Sequence, residues 1–117
     1  MASQRTRLFP FVLAGAMISW LLPSCSPSYQ APPVDSALIK ISQSPVSQLQ
    51  RGYIVHQAKC AKCHAFEDPA NYEIAELTDE IMPDMAKKSK LDLADQQAVL
   101  AYLLVARNVP KSATVAP

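Results

Sequence analysis

Glycine is scarce in this chain of 117 residues, which contains only Gly15 and Gly52. Two glycines so far apart cannot form a GxGxxG dinucleotide turn or a P-loop, so nucleotide-binding folds of those types are excluded. Charge of one sign is also lacking, because 11 basic and 10 acidic residues give a net charge of +1, which leaves no basic surface for nucleic acid. The three cysteines are an odd number, so disulfides alone cannot use them all. A chain of this length has room for one small domain.

A long membrane-spanning run is lacking too, and the apolar run that is present has the pattern of an export signal. Arg5 and Arg7 precede the apolar residues 8–22, and residues 1–24 contain no acidic side chain. The run of about 15 residues is shorter than the roughly 20 that a spanning helix needs. We therefore expect residues 1–24 to be a signal peptide, and its removal takes two positive charges from the net charge of +1, leaving −1.

The end of this segment resembles the signal of bacterial lipoproteins. Leu22 stands at −3, the small residue Ser24 at −1, and Cys25 would become the new N-terminus, although Pro23 departs from the usual small or aliphatic residue. The resemblance implies a lipid thioether on Cys25 that anchors the protein at the periplasmic side of a bacterial membrane, since buried acyl chains contribute ~0.8 kcal/mol per methylene. Ordinary cleavage nearby, which leaves Cys25 as a plain thiol, is the alternative.

The rest of the chain divides into a linker and a domain. Residues 25–44 are rich in proline and serine and predict a semi-extended tether, within which residues 37–41 are compatible with a strand or a turn of helix. Residues 45–117 form the predicted domain.

Apolar spacing predicts an all-α fold for this domain. The first helix is expected over residues 45–59, beginning with a serine–proline pair, and the last over residues 93–107, between an aspartate cap and a proline stop. Between them we expect a loop over residues 65–71 and an acidic helical stretch over residues 72–81, interrupted at Pro83.

The chemistry of the sequence is concentrated in Cys60, Cys63 and His64, which form the C-x-x-C-H pattern of c-type haem attachment. Each thiol adds across one haem vinyl group, sulfur to one carbon and hydrogen to the other, and the histidine is placed under the iron as the proximal ligand. A structural zinc site would need four ligands, for which only His56 and the distant Cys25 remain. A thioredoxin-like redox pair and a structural disulfide beside a chance histidine are further alternatives. We expect one covalently bound haem c with its iron.

Residues 45–108 resemble a class I c-type cytochrome. Gly52 lies eight residues before Cys60, like the glycine at which the first and last helices of that family cross, and Tyr102 has the Ala-Tyr-Leu setting of the family's last helix. The resemblance implies a small all-α fold whose N- and C-terminal helices cross around the haem. His56 stands where the family usually has an aromatic ring packed on the last helix. We expect His56 to fill that contact rather than to bind the iron.

The resemblance also implies a methionine as the sixth iron ligand. Met82 precedes a proline, as in the family's frequent Met-Pro pair, whereas Met85 has the spacing to Leu91 and Tyr102 that is common in short members. On one helix the two residues differ by ~4.5 Å of rise and about 60° of rotation, so periodicity leaves both open. We prefer Met85, with Met82 as the alternative, and a methionine can equally be a plain core residue.

These features predict an electron carrier, not an enzyme: a membrane-tethered monohaem cytochrome c that passes single electrons between extracytoplasmic redox proteins. An iron with six ligands has no open position for a small-molecule substrate. The alternatives are a haem-based gas or redox sensor, an accessory haem subunit of an oxidoreductase complex, and a lipoprotein with a purely structural role.

Two groups of side chains are expected around the haem. Lysines flanking the site are predicted to steer an acidic redox partner, because complementary charge raises association rates; a merely solvated charged face is the alternative. Apolar residues are predicted to pack on the porphyrin. The lysines are Lys59, Lys62, Lys87, Lys88 and Lys90; the apolar residues are Ile54, Val55, Leu91, Leu100 and Leu104.

Overall fold

The computed structural model describes residues 28–110, and all regular structure in that range is helical. The predicted signal peptide and the predicted lipidation at Cys25 lie outside the described residues. Among residues 28–110, no helix is long and apolar enough to cross a membrane.

Five α-helices and three irregular helical turns follow one another along the chain. The α-helices are α1 (Ser36–Ile41), α2 (Val46–Lys59), α3 (Ile74–Glu76), α4 (Met82–Lys88) and α5 (Leu93–Ala106). The irregular turns are two 3₁₀ turns, Cys60–Lys62 and Pro69–Asn71, and a π-helical turn, Leu77–Ile81. The predicted first and last helices are therefore confirmed to within one residue at each end, and the all-α class is confirmed for the described part of the chain.

Helices α2 and α5 cross at Gly52, and this crossing is the centre of the fold. A Cβ atom built on Gly52 would lie 2.1 Å from the carbonyl oxygen of Ala98 and 2.8 Å from Cβ of Tyr102. No side chain fits there, so glycine allows the backbones to approach in spite of its cost of roughly 0.5–1 kcal/mol inside a helix. The most deeply buried large side chains come from both helices and from α1: Leu38, Leu49, Val99 and Tyr102.

The predicted tether over residues 25–44 is only partly an extended linker. The carboxylate of Asp35 caps α1 by accepting hydrogen bonds from the backbone N–H groups of Ala37 and Leu38. Leu38 is 1% exposed and belongs to the core. The hydroxyl of Tyr102 donates to the carbonyl oxygen of Pro32 over 2.7 Å. This part of the segment folds against the domain because one apolar side chain and one buried hydroxyl have their partners there.

The prediction that Pro83 interrupts the middle helix is wrong. The chain remains helical from α3 through the π turn into α4, and Pro83 lies in the first turn of α4. The backbone N–H of Met82 bonds to the carbonyl of Leu77, five residues earlier, which is the wider π pattern. A proline ring clashes with the carbonyl four residues before it in a regular α-helix, so we attribute its tolerance here to the wider turn that precedes it.

Asp95 holds α5 to α2 through two cations. Its Oδ1 atom accepts from Nε of Arg51 over 2.8 Å, and its Oδ2 atom accepts from Nζ of Lys59 over 3.1 Å. These hydrogen bonds, first from Arg51 and then from Lys59, lower the pKa of the Asp95 carboxyl. Arg51 directly precedes Gly52 and Lys59 directly precedes Cys60, so the two bonds join α5 to α2 near its middle and at its end.

We expect Asp95→Asn to lower the thermal unfolding midpoint at neutral pH and to change it little in acid. The pKa of Asp95 is depressed in the folded state, so its contribution is present above the unfolded-state pKa of about 4 and disappears as the pH falls through the folded value. Thermal unfolding of both proteins across this range measures the effect. Asp84→Asn, which removes an exposed pair with Lys88, is the control and should have little effect. A midpoint difference that is the same at every pH would contradict the prediction.

Candidate functional site

A cavity of about 500 Å³ lies beside the end of α2 and is walled by α2, the residues that follow it, the π turn, α4 and α5. Its wall is largely apolar, and its volume is in the range of sites that hold cofactors. All the side chains that the sequence selected for haem binding are on this wall: Cys60, Cys63, His64, Met82 and Met85.

The two cysteines reach the cavity from the 3₁₀ turn that continues α2. Cys60 begins this turn, and the backbone N–H of Cys63 bonds to the carbonyl of Cys60. Both thiols are free. Burial raises the pKa of the Cys60 thiol, Cys63 adds to the increase, and Lys59 opposes it. Cys60 is partly buried and Cys63 is exposed, and both lie on one tight turn beside the cavity.

His64 has the hydrogen bond that is typical of a metal-ligating histidine. Its Nδ1 atom lies 2.7 Å from the carbonyl oxygen of Ala65. A carbonyl can only accept, so Nδ1 carries a proton, and Nε2 is the ring nitrogen left to bind a metal ion. A backbone carbonyl that holds one ring nitrogen in this way fixes the tautomer and the ring orientation of a ligand histidine.

Met82 and Met85 both contribute to the cavity wall from α4, but their surroundings differ. Met82 is 2% exposed and is part of the hydrophobic core together with Leu77 and Val99. Met85 is half-buried and does not belong to that core cluster. The thioether of Met85 is therefore less committed to packing than that of Met82.

The donor groups on this wall fit a covalently held haem. Two free thiols, one imidazole whose Nδ1 is already bonded, and two thioethers line the same largely apolar cavity. Within residues 28–110, no group of three or more His, Cys, Asp or Glu side chains is arranged to hold a metal ion. Methionine is not one of these four residue types, so a pair made of His64 and a methionine is a different arrangement.

His56 lies on the cavity wall in an aromatic environment. Its ring stacks on Phe66, with centroids 4.3 Å apart and planes at 23°, and its centroid is 5.7 Å from that of Tyr102 on α5. The predicted contact with the last helix is therefore present. Burial, reinforced by His64, lowers the pKa of His56 to about 4, so the ring is neutral at pH 7. Its Nδ1 atom is buried without a hydrogen-bond partner among the described residues.

The loop before α3 is hydrogen-bonded to Arg107, the residue that follows α5. The Nη2 atom of Arg107 donates to the carbonyl oxygen of Tyr72 over 2.9 Å, and the Tyr72 hydroxyl donates to the carboxylate of Glu67. Asp68 caps the 3₁₀ turn in this loop by accepting from the N–H of Ala70. Tyr72 and Glu67 both line the cavity, so these bonds hold one side of its wall in place.

The apolar side chains that the sequence predicted around the haem are not on the cavity wall. Ile54 is 62% exposed. Helix α5 is apolar on most of its circumference, and successive residues turn by about 100°, so the choice between its faces could not be read from spacing. None of Ile54, Val55, Leu91, Leu100 and Leu104 lines the cavity; the apolar wall contains Phe66, Leu77, Ile81, Val99 and Leu103.

The predicted ring of lysines is also not what surrounds the cavity. Of the five lysines, only Lys88 is on its wall, and its Nζ atom pairs with Asp84 over 2.6 Å. Lys59 is paired with Asp95. The carboxylate residues Glu67 and Glu76 share the wall with Lys88, so the cavity is bordered by both signs of charge.

Comparison with known proteins finds no family model, no curated protein and no solved structure that matches this chain.

Proposed function

We propose that this protein is a monohaem c-type cytochrome of the class I type, tethered to a membrane through Cys25, that carries single electrons between redox proteins outside the cytoplasm. The observation that carries this proposal is the convergence of Cys60, Cys63 and His64 with methionine thioethers on one largely apolar cavity. The crossing of α2 and α5 at Gly52 supports a class I fold around that cavity.

Each site residue has a distinct task in this function. When bound, the haem supplies an iron that gains and loses one electron reversibly. Cys60 and Cys63 would hold the group through thioethers, and His64 would offer Nε2 to the iron while its Nδ1–H stays on the Ala65 carbonyl. Val99 and Leu103 make the cavity wall apolar, and an apolar surrounding would favour the state of lower charge and raise the reduction potential.

We assign the sixth ligand to Met85. Met82 fills the core between the π turn and α5, and pulling its sulfur out of that contact would cost packing energy. Met85, half-buried on the cavity wall, can turn its thioether to the iron without leaving a hole in the core. Thioether ligation stabilises reduced iron, which suits a carrier between redox proteins.

We expect Met85→Leu to remove the far-red methionine–iron absorption band of the oxidised protein, to lower the reduction potential and to open the reduced iron to carbon monoxide. Leucine keeps the volume but has no donor atom. Met82→Leu is the matched control and should keep the band. Optical spectra of the two variants, recorded with and without carbon monoxide, measure the difference.

The outcomes separate the candidate functions. Loss of the band in Met82→Leu alone would move the ligand to Met82. A wild-type protein that binds carbon monoxide readily and lacks the band would favour the gas sensor. Absence of covalent haem after denaturing electrophoresis would contradict the cytochrome itself. The intact mass of the mature protein reports haem attachment, signal removal and lipidation at Cys25 in one measurement.

A further inference from the structure

The stacked pair formed by His56 and Phe66 has no task in the function proposed so far. The two rings come from different sides of the attachment sequence: His56 precedes Cys60 on α2, and Phe66 follows His64. Their centroids are 4.3 Å apart, and both rings line the cavity. The stack therefore closes the loop that carries the two cysteines and the histidine.

The hydrogen bond of His64 depends on a peptide plane that Phe66 completes. Nδ1–H of His64 donates to the carbonyl of Ala65, and that carbonyl belongs to the peptide unit between Ala65 and Phe66. A peptide unit is rigid and planar. Whatever fixes the backbone of Phe66 also limits how this carbonyl can turn.

The anchor for Phe66 is itself well fixed. His56 is 7% exposed on α2, and its ring also lies near Tyr102 of α5. A neutral ring stacks on phenyl without drawing water into the contact, and the low pKa of His56 keeps its ring neutral. Its buried Nδ1 atom has no hydrogen-bond partner among the described residues, so the ring is held by stacking contacts and not through this nitrogen.

We propose that the stacked pair His56–Phe66 positions the axial histidine, by holding the Ala65 carbonyl on which His64 Nδ1–H is bonded. This inference rests on the proposed function, since it concerns the ligand of the haem iron. His56 and Phe66 are positioning residues and do not touch the iron. The carbonyl makes the ligating nitrogen of His64 more basic, which stabilises oxidised iron, so weakening the stack raises the reduction potential.

The experiment uses the haem-loaded protein, three single variants and the double leucine variant. Phe66→Leu and His56→Leu remove the stack while keeping an apolar side chain, and His56→Phe keeps the stack without a ring nitrogen. The solvent exchange rate of the His64 Nδ1 proton in the reduced protein is measured by nuclear magnetic resonance, together with the reduction potential and the unfolding midpoint.

We expect exchange of the His64 proton to be about threefold to tenfold faster in Phe66→Leu and in His56→Leu, the range set by the free energy of one aromatic pair. Both variants should also have a higher reduction potential. His56→Phe should behave like the wild type in both measurements. The double leucine variant should match the single variants, because the stack is already lost in each.

Two results would overturn the inference. One is a lower unfolding midpoint in the leucine variants with unchanged proton exchange and potential, which a merely structural stack would give. The other is faster exchange in His56→Phe, which would mean that the imidazole and not the stack is required. Both are read from a protein that holds haem, whereas a wild-type protein without covalent haem would contradict the proposed function.

Discussion

The double variant Cys60→Ala, Cys63→Ala is expected to lose covalent haem and most of its helical circular dichroism signal. The described domain is small, and its core borders a largely apolar cavity of about 500 Å³. Domains of this size bury a smaller fraction of their surface than larger ones and are marginal without a staple such as a cofactor. In the proposed function, haem would supply the missing apolar body beside this core, so its loss should leave the chain largely unfolded.

The matched control for this experiment is Cys25→Ala. It removes the third cysteine, which is outside the attachment pattern, and should keep both covalent haem and the helical signal. Haem stain after denaturing electrophoresis and far-ultraviolet circular dichroism measure the two properties. A haem-free double variant with the helical content of the wild type would show that the domain folds by itself, and would remove the structural role assigned to the haem.

Gly52→Ala is expected to destabilise the haem-loaded protein by about 3 kcal/mol or more, the cost of severe overpacking. The new Cβ would lie 2.1 Å from the Ala98 carbonyl oxygen and 2.6 Å from the Ala98 carbonyl carbon. These are backbone atoms, which cannot turn aside as a side chain can, so α2 and α5 must move apart. Chemical unfolding of the haem-loaded protein measures the change.

Helix propensity predicts the opposite sign for this substitution. Alanine is favoured over glycine in a helix by roughly 0.5–1 kcal/mol, so a protein in which α2 did not approach α5 closely would gain stability. Gln50→Ala, an exposed position two residues earlier on α2, is the control and should change the unfolding free energy by about 0.5 kcal/mol or less. Stabilisation by Gly52→Ala would contradict the helix crossing.

Local signals predicted the two long helices and failed where helices depend on their surroundings. Both long helices carry apolar residues at helical spacing, and their observed ends agree with the prediction to within one residue. Asp92 caps the last helix as predicted, whereas the first begins after Pro45 without a side-chain cap. Pro83 predicts a break, because proline disrupts a regular α-helix. The π turn at Leu77–Ile81 removes the conflict, and nothing in the sequence signals that turn directly.

The candidate site likewise has a part that the sequence predicts and a part that it does not. Cys60, Cys63 and His64 were found from their spacing, because covalent attachment to one rigid group requires them to be near each other along the chain. The apolar wall was not found, since Phe66, Leu77 and the inner face of α5 meet only in the folded chain. His56 was expected to contact the last helix, but its stacking on Phe66 came from the path of the loop.

The sequence by itself determined the residue types on which the proposed chemistry depends: the C-x-x-C-H pattern, the single glycine of residues 45–117, and Met82 and Met85 further along the chain. These depend on residue type and local spacing, which the chain carries without folding. Only the tertiary structure decided which face of α5 borders the cavity, that α1 belongs to the core, and that Lys59 is engaged in an ion pair with Asp95. Such contacts join residues distant along the chain, and their geometry is set by the packing of α2 against α5 at Gly52.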